Sequence, residues 1–273
     1  MLGAIYRVHW RWAAVVLGAA LVAAPLVADK APAGPVAVRH GQGTLHGFLA
    51  LRDTDGELIA NGDLTQVAAG GRVTSHLVFH FKDESVHDET VVYSQRRAFE
   101  LVSYHLVQKG PTFKRPTDMT IDGASGQVTV RYAAEDGKEQ VASERLKLPA
   151  NLANGMVPLL LANVPAKETS VKLAMIAATP KPRLVGLEIR AAGEDAFSVA
   201  DSNRKAKRYV IKVAVGGVAG VVAPLVGKQP PDTSMWILEG EVPVFVRSEG
   251  PMFDGGPIWR TELASPAGPK AGP

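Results

Sequence analysis

From residue 43 to residue 263, apolar and polar side chains alternate in short runs, and turn residues separate one run from the next. Alternation with a period of two sends one face of an extended chain to a core and the other to water, so the pattern predicts antiparallel sheet. The predicted strands are 43–51, 57–67, 72–81, 87–94, 98–108, 119–122, 127–134, 140–147, 171–178, 183–191, 209–215, 218–226, 235–238, 242–247 and 258–263. Residues that reverse a chain sit between them, at Asp53 to Gly56, Gly70-Gly71, Lys82 to Ser85, Gly123 to Gly126 and Asp136-Gly137. In 76–81 one face is Leu77, Phe79 and Phe81, and the other is His76, Val78 and His80, as expected of a strand with one wet side. In 218–226 and 235–238 both faces are apolar, which calls for cover on two sides, by a helix or by a bound apolar ligand.

One segment departs from the rhythm. In 151–164 the residues Leu152, Met156, Leu159, Leu160 and Val164 recur at helical spacing, which predicts an amphipathic helix with one face on the sheet. Pro158 suits only the start of a helix, so Asn154 is the expected cap. The expected fold is mostly β: an antiparallel curved sheet, a half-barrel or opened sandwich, with one packed helix on its concave face.

The two ends of the chain are different in character. Arg7 and Arg11 precede an uncharged apolar run from Ala13 to Ala28, which reads as a signal peptide over 1–28. Trp10 and Trp12 beside Arg11 suit a membrane interface, so an uncleaved N-terminal anchor is the alternative. Residues 29–43, with three glycines and two prolines, read as a linker; 44–264 form the β-rich domain, and 265–273 a flexible tail. The address is then the periplasm or another exported compartment, with membrane association through the N-terminus in the anchored case.

Composition narrows the functions. There is no cysteine, which removes disulfides and a lipid-modified cysteine anchor. Arg7 and Arg11 account for two units of the formal charge of +3, so residues 29–273 carry +1. A near-neutral chain lacks the footprint that phosphate backbones require, and nucleic acid is not an expected partner. The densest basic stretch, Arg204, Lys205, Lys207 and Arg208, reads as a solvated strand start.

Candidate chemistry is sparse. A two-residue turn at Asp83-Glu84 would set His80 opposite His87 and Val78 opposite Glu89, gathering His76, His80, His87 and Glu89 on one face. Neutral imidazoles with one carboxylate suit zinc or copper, so this hairpin is the candidate metal site; otherwise no cofactor is expected. No G-x-S-x-G elbow occurs, and Ser85, His87 and Asp88 alternate in direction, so no catalytic residue is assigned. The glycines from Gly216 to Gly227 ahead of Lys228 do not match a phosphate loop, because the spacing is too long and Gln229 stands where Ser or Thr is required.

The strings Gln108-Lys-Gly-Pro111, Lys181-Pro-Arg-Leu-Val185, Gly227-Lys-Gln-Pro-Pro-Asp232 and Gly255-Gly-Pro-Ile-Trp-Arg260, behind a signal peptide, resemble a group of exported bacterial proteins of unknown function. The resemblance covers most of 43–264 and implies no active site. In architecture the chain is also similar to the curved half-barrels of periplasmic lipoprotein carriers. The expected role is non-enzymatic: binding of a lipid or other apolar small molecule, or service as an envelope interaction module. The cleft would be lined by Met156, Leu159 and Leu160 of the helix and by Val222, Leu225, Trp236 and Leu238 of the two-sided strands.

Overall fold

Within each half of the chain the alternating segments pair with their neighbours in sequence, and the two halves form one antiparallel sheet. The computed structural model describes residues 34–134, 137–199, 202–214 and 230–265. Its strands are β1 (Leu45–Arg52), β2 (Leu58–Ala69), β3 (Arg72–Phe81), β4 (Val86–Gln95), β5 (Phe99–Lys109), β6 (Thr117–Asp122), β7 (Gln127–Ala133) and β8 (Glu139–Arg145), followed by helix α1 (Val157–Asn163). Then come β9 (Ser170–Ala177), β10 (Arg183–Val199), β11 (Ser202–Ala214), β12 (Thr233–Leu238), β13 (Val244–Pro251) and β14 (Ile258–Ala264). The spatial order is β8 to β1, then β14 to β9. Two meanders therefore meet edge to edge where β1 pairs with β14, and β8 and β9 remain as edges of an unclosed sheet.

Curvature follows from what the two meanders share. Val91, Tyr104, Ile121 and Val128 of the first and Leu173, Ile189, Ile211 and Ile237 of the second lie in one buried cluster with Met156, Leu160 and Leu161. Side chains from distant strands of a sheet meet in one core only when the sheet curls around it. A second cluster, Leu49, Leu51, Ala60, Phe79, Phe81 and Phe113, occupies the same concave side under β1 to β3. Among the described residues the expected mostly β fold, a curved antiparallel sheet with one packed helix, is the observed architecture. The signal or anchor, the predicted strand 218–226, the Gly216 to Gly227 stretch and most of the tail lie outside the described residues. Among the described residues no helix is long and apolar enough to cross a membrane.

Three local expectations change. Asn154 does not cap the helix: α1 begins at Met156 with no side-chain cap, and Pro158 stands in its first turn. Asn154 instead uses its side-chain amide as a strand would use its backbone, accepting from Ile176 N at 2.8 Å and donating to Ile176 O at 2.9 Å. Ala153 N donates to Ala174 O and Ala174 N to Asn151 O, so residues 151–154 cover the open edge of β9. The described part of the expected linker is docked: Phe99 N donates to Val36 O, Val38 N to Arg97 O, and the Asn163 carboxamide oxygen accepts from the backbones of Arg39 and His40.

The third change is in length. β10 and β11 run well past their predicted ends as one long hairpin, and the basic stretch lies within β11. Its charges are matched locally, with Lys205 3.3 Å from Glu194, Arg208 3.8 Å from Asp195, and Lys207 Nζ donating to the carbonyls of Ala166 and Glu168.

Candidate functional site

The hairpin between β3 and β4 decides which polar side chains face inward. Phe81 N donates to Ser85 O and Glu84 N to Phe81 O, so the loop is three residues, Lys82 to Glu84, with Glu84 in the left-handed region at φ 68°. Side chains hold this choice. Asp83 accepts from Ser85 N at 3.0 Å and from the Thr112 hydroxyl at 2.7 Å, while Thr112 N donates to Ser85 Oγ at 2.9 Å. The Thr112 hydroxyl, aided by the Ser85 amide, keeps the Asp83 carboxyl below its ordinary range.

The register therefore differs by one residue from the expected one. His80 stands opposite Val86, Phe79 opposite His87, Leu77 opposite Glu89 and His76 opposite Thr90. A slip of one residue exchanges the faces of a strand. His76 and His80 point outward, where His76 Nε2 lies 2.9 Å from Asp88 Oδ1, whereas His87 and Glu89 point inward. The four do not converge, and the hairpin metal site is corrected on that ground. Among the described residues no three His, Asp or Glu side chains gather as a ligand set.

What converges instead is an inward polar group that the sequence reading only half identified. His87, 6% exposed, stands opposite Gln108, whose Nε2 donates to His87 Nδ1 at 3.1 Å and reaches Met252 O at 3.4 Å. Because the Met252 carbonyl only accepts, the amide nitrogen faces the imidazole, Nδ1 is an acceptor, and the ring is the neutral Nε2–H form. Desolvation lowers the His87 pKa against the weaker opposing pull of Glu89 and Asp88. Two residues along the same face, Glu89 Oε1 accepts from Tyr104 OH at 2.6 Å. Burial, and then the neighbouring Glu89, push the Tyr104 phenol well above its ordinary value, so it stays a donor.

His87 makes stability depend on pH. Between the ordinary imidazole value of 6.5 and the depressed folded value, the unfolded chain binds more protons than the folded one, so stability is full above 6.5 and falls as the pH drops. Urea midpoints taken across this range should fall with acidification for the natural chain, and the His87→Gln variant should show a shallower fall. Equal slopes in both proteins would remove His87 as the cause.

Apart from Gln66 and Ser75, the inner face of β1 to β3 is apolar, and it is only partly covered. Gly47 pairs with Leu64, Leu64 with Leu77, and Leu77 with Glu89, which makes one row across β1 to β4. Leu45 and Leu263 share this face, since Leu45 alternates in step with buried Leu49 and Leu263 pairs with Leu49, yet they are 42% and 45% exposed. Leu64 and Leu77 are half-buried. Two glycines on this wall contrast sharply. At Gly62 an added Cβ would meet Phe79 Cε1 at 2.6 Å, so that position is filled; at Gly47 only Leu45 Cδ1 comes near, at 4.0 Å. The wall is packed beside Gly62 and open beside Gly47.

The expected cleft residues are distributed differently. Met156 and Leu160 are core, at 1% and 2% exposure, and Leu159 packs partly buried against them. Val222 and Leu225 lie outside the described residues. Trp236 and Leu238 are corrected: the β11 to β13 pairing sends Met235 and Ile237 into the core and turns Trp236 and Leu238 to the outer face. There Trp236 Nε1 donates to Asp195 Oδ2 at 2.6 Å, and the Arg247 guanidinium lies 4.9 Å from the Phe197 ring and 5.8 Å from Trp236. Arginine stems and a long hairpin, not a helix, cover that second apolar side.

The fold and this wall define an open, curved antiparallel sheet whose concave side carries a partly uncovered apolar row ending at a carboxylate. No family model and no curated protein matches the chain. Among solved structures it is similar to the crystal structure of a beta-barrel-like protein of the domain of unknown function DUF1849 from Brucella abortus. The TM-score is 0.43 and the identity 10%, over 82% of this chain and 98% of that one.

Proposed function

We propose that this protein is an exported, non-enzymatic binding protein that holds an apolar, lipid-like molecule on the concave wall of its sheet. The observation that carries the reading is the open inner surface at Gly47, with Leu45 beside it, Leu64 and Leu77 on the next two strands and Leu263 exposed on the same face, which is packed at Gly62. Apolar area left uncovered on a concave side is what a greasy ligand removes from water, at about 25 cal/mol per Å². Export is supported by the Arg7 and Arg11 leader pattern.

The test fills the dent. Gly47 has ordinary negative-φ backbone and space above it, so Gly47→Leu should fold normally and occupy the ligand's place. Displacement of the neutral fluorescent dye phenylnaphthylamine by lipid extract should weaken about tenfold, equivalent to about 1.4 kcal/mol, with Tm unchanged. Thr65→Leu on the outer face serves as the control. The reading fails if the purified protein neither binds the dye nor carries extractable lipid, or if Gly47→Leu and the control bind alike.

A further inference from the structure

We propose that the ligand is a cationic amphiphile, a long-chain alkylammonium, whose head is received by Glu89 while its chain lies along Leu77, Leu64 and Gly47. The inference rests on the apolar-ligand reading and adds the chemical class of the head.

The row supplies the geometry. Glu89, Leu77, Leu64 and Gly47 are direct cross-strand neighbours, so the carboxylate stands at one end of the apolar path. With strands about 4.8 Å apart, the path from Glu89 to Gly47 is about 14 Å along the wall, enough for a chain of lipid type. At the far end Leu45 and Leu263 are exposed, and the path opens there.

Charge decides the head. Among the described residues Glu89 has no cationic partner: its one hydrogen bond comes from the Tyr104 hydroxyl to Oε1, which leaves Oε2 for another donor. His87 does not neutralise it, because burial and the bond from Gln108 keep that imidazole in the neutral form. Gln108, Tyr104, Leu106 and Leu77 around the pair carry no charge, and Asp88 points to the other face. A half-buried carboxylate without a counter-ion on an apolar wall favours a ligand that brings the cation and disfavours one that brings a second anion.

The experiment compares three ligands with one chain and different heads, dodecyltrimethylammonium, dodecanol and dodecanoate, as displacers of phenylnaphthylamine from the full-length protein near neutral pH. The ammonium should displace the dye about tenfold better than the alcohol, and dodecanoate worse than either. Glu89→Gln keeps an acceptor for Tyr104, and it should abolish the advantage of the ammonium while leaving the alcohol unchanged. Raising salt from about 0.05 M to about 0.5 M on the natural protein should weaken the ammonium alone, which tests the claim even where the variant folds poorly. Equal displacement by all three, a preference for dodecanoate, or an ammonium advantage that survives Glu89→Gln overturns the cationic head and leaves apolar binding standing. Displacement by none of the three overturns both.

Discussion

Asn154→Ala is expected to destabilise the protein by about 2–6 kcal/mol, as the loss of two buried hydrogen bonds at about 1–3 kcal/mol each. Asn154 is 4% exposed and Ile176 is fully buried, so the freed N–H and C=O of Ile176 find no water in exchange. The role matters for the size of the effect. A helix cap would account for only about 1 kcal/mol on truncation, and mostly by fraying the helix. Here the side chain replaces a missing strand at the edge of β9, so its loss opens a sheet edge that the apolar Val171, Leu173 and Ile176 adjoin. Asn154→Asp keeps the acceptor for Ile176 N and faces a carbonyl with a carboxylate oxygen, so it should be destabilising as well. Urea unfolding of both variants checks this; a change below about 1 kcal/mol for Asn154→Ala would show that the two bonds to Ile176 contribute little to stability.

Phe79→Ala should be comparably damaging, by about 3–5 kcal/mol. The ring is 1% exposed, lies over Gly62 closely enough to exclude a Cβ there, and meets the His87 imidazole edge-on with centroids 6.1 Å apart. Removing it opens a cavity opposite Gly62, where β2 has no side chain to move into the space. Against a total stability of about 5–15 kcal/mol for a domain, that is a large share. The cavity lies beside His87, so the imidazole should also regain part of its ordinary pKa as water reaches it. Proton NMR titration reads that shift, and calorimetry reads the stability. A variant with near-normal stability and an unmoved His87 titration would show that the aromatic contact does not shield the imidazole.

The strand pattern was legible because each strand on the first meander has one wet face: Leu77, Phe79 and Phe81 against His76, Val78 and His80 leave no doubt of sheet. Turn residues set the boundaries nearly as well. Asp53 accepts from the amides of Asp55 and Glu57, as an Asp-initiated turn does, and Gly56 takes the positive φ. Where alternation lost its contrast, the reading lost its direction. Met235, Trp236, Ile237 and Leu238 are all apolar, so nothing local distinguishes the inner pair from the outer pair. The cross-strand partners on β11 and β13 made that choice, and Arg247 and Asp195, distant in sequence, gave Trp236 its cover.

The candidate site shows the same division at finer scale. Residue types in 76–89 announced concentrated polar chemistry, but its assembly turned on whether the hairpin loop held two residues or three. Thr112, in another loop, settled it through Asp83 and Ser85. That single step moved Glu89 and His87 inward to Tyr104 and Gln108 and left His76 outside with Asp88. Gly47 carried no signal at all, since an open place on a wall exists only relative to the side chains around it. Periodicity and turn chemistry are local properties, and they were enough for most of the described strands and for the presence of the helix, but not for the pairing of β1 with β14. Loop register, the sign of a two-sided apolar strand, the cover of a sheet edge and the open inner wall depend on contacts between residues far apart in the chain, and only folding brings those together.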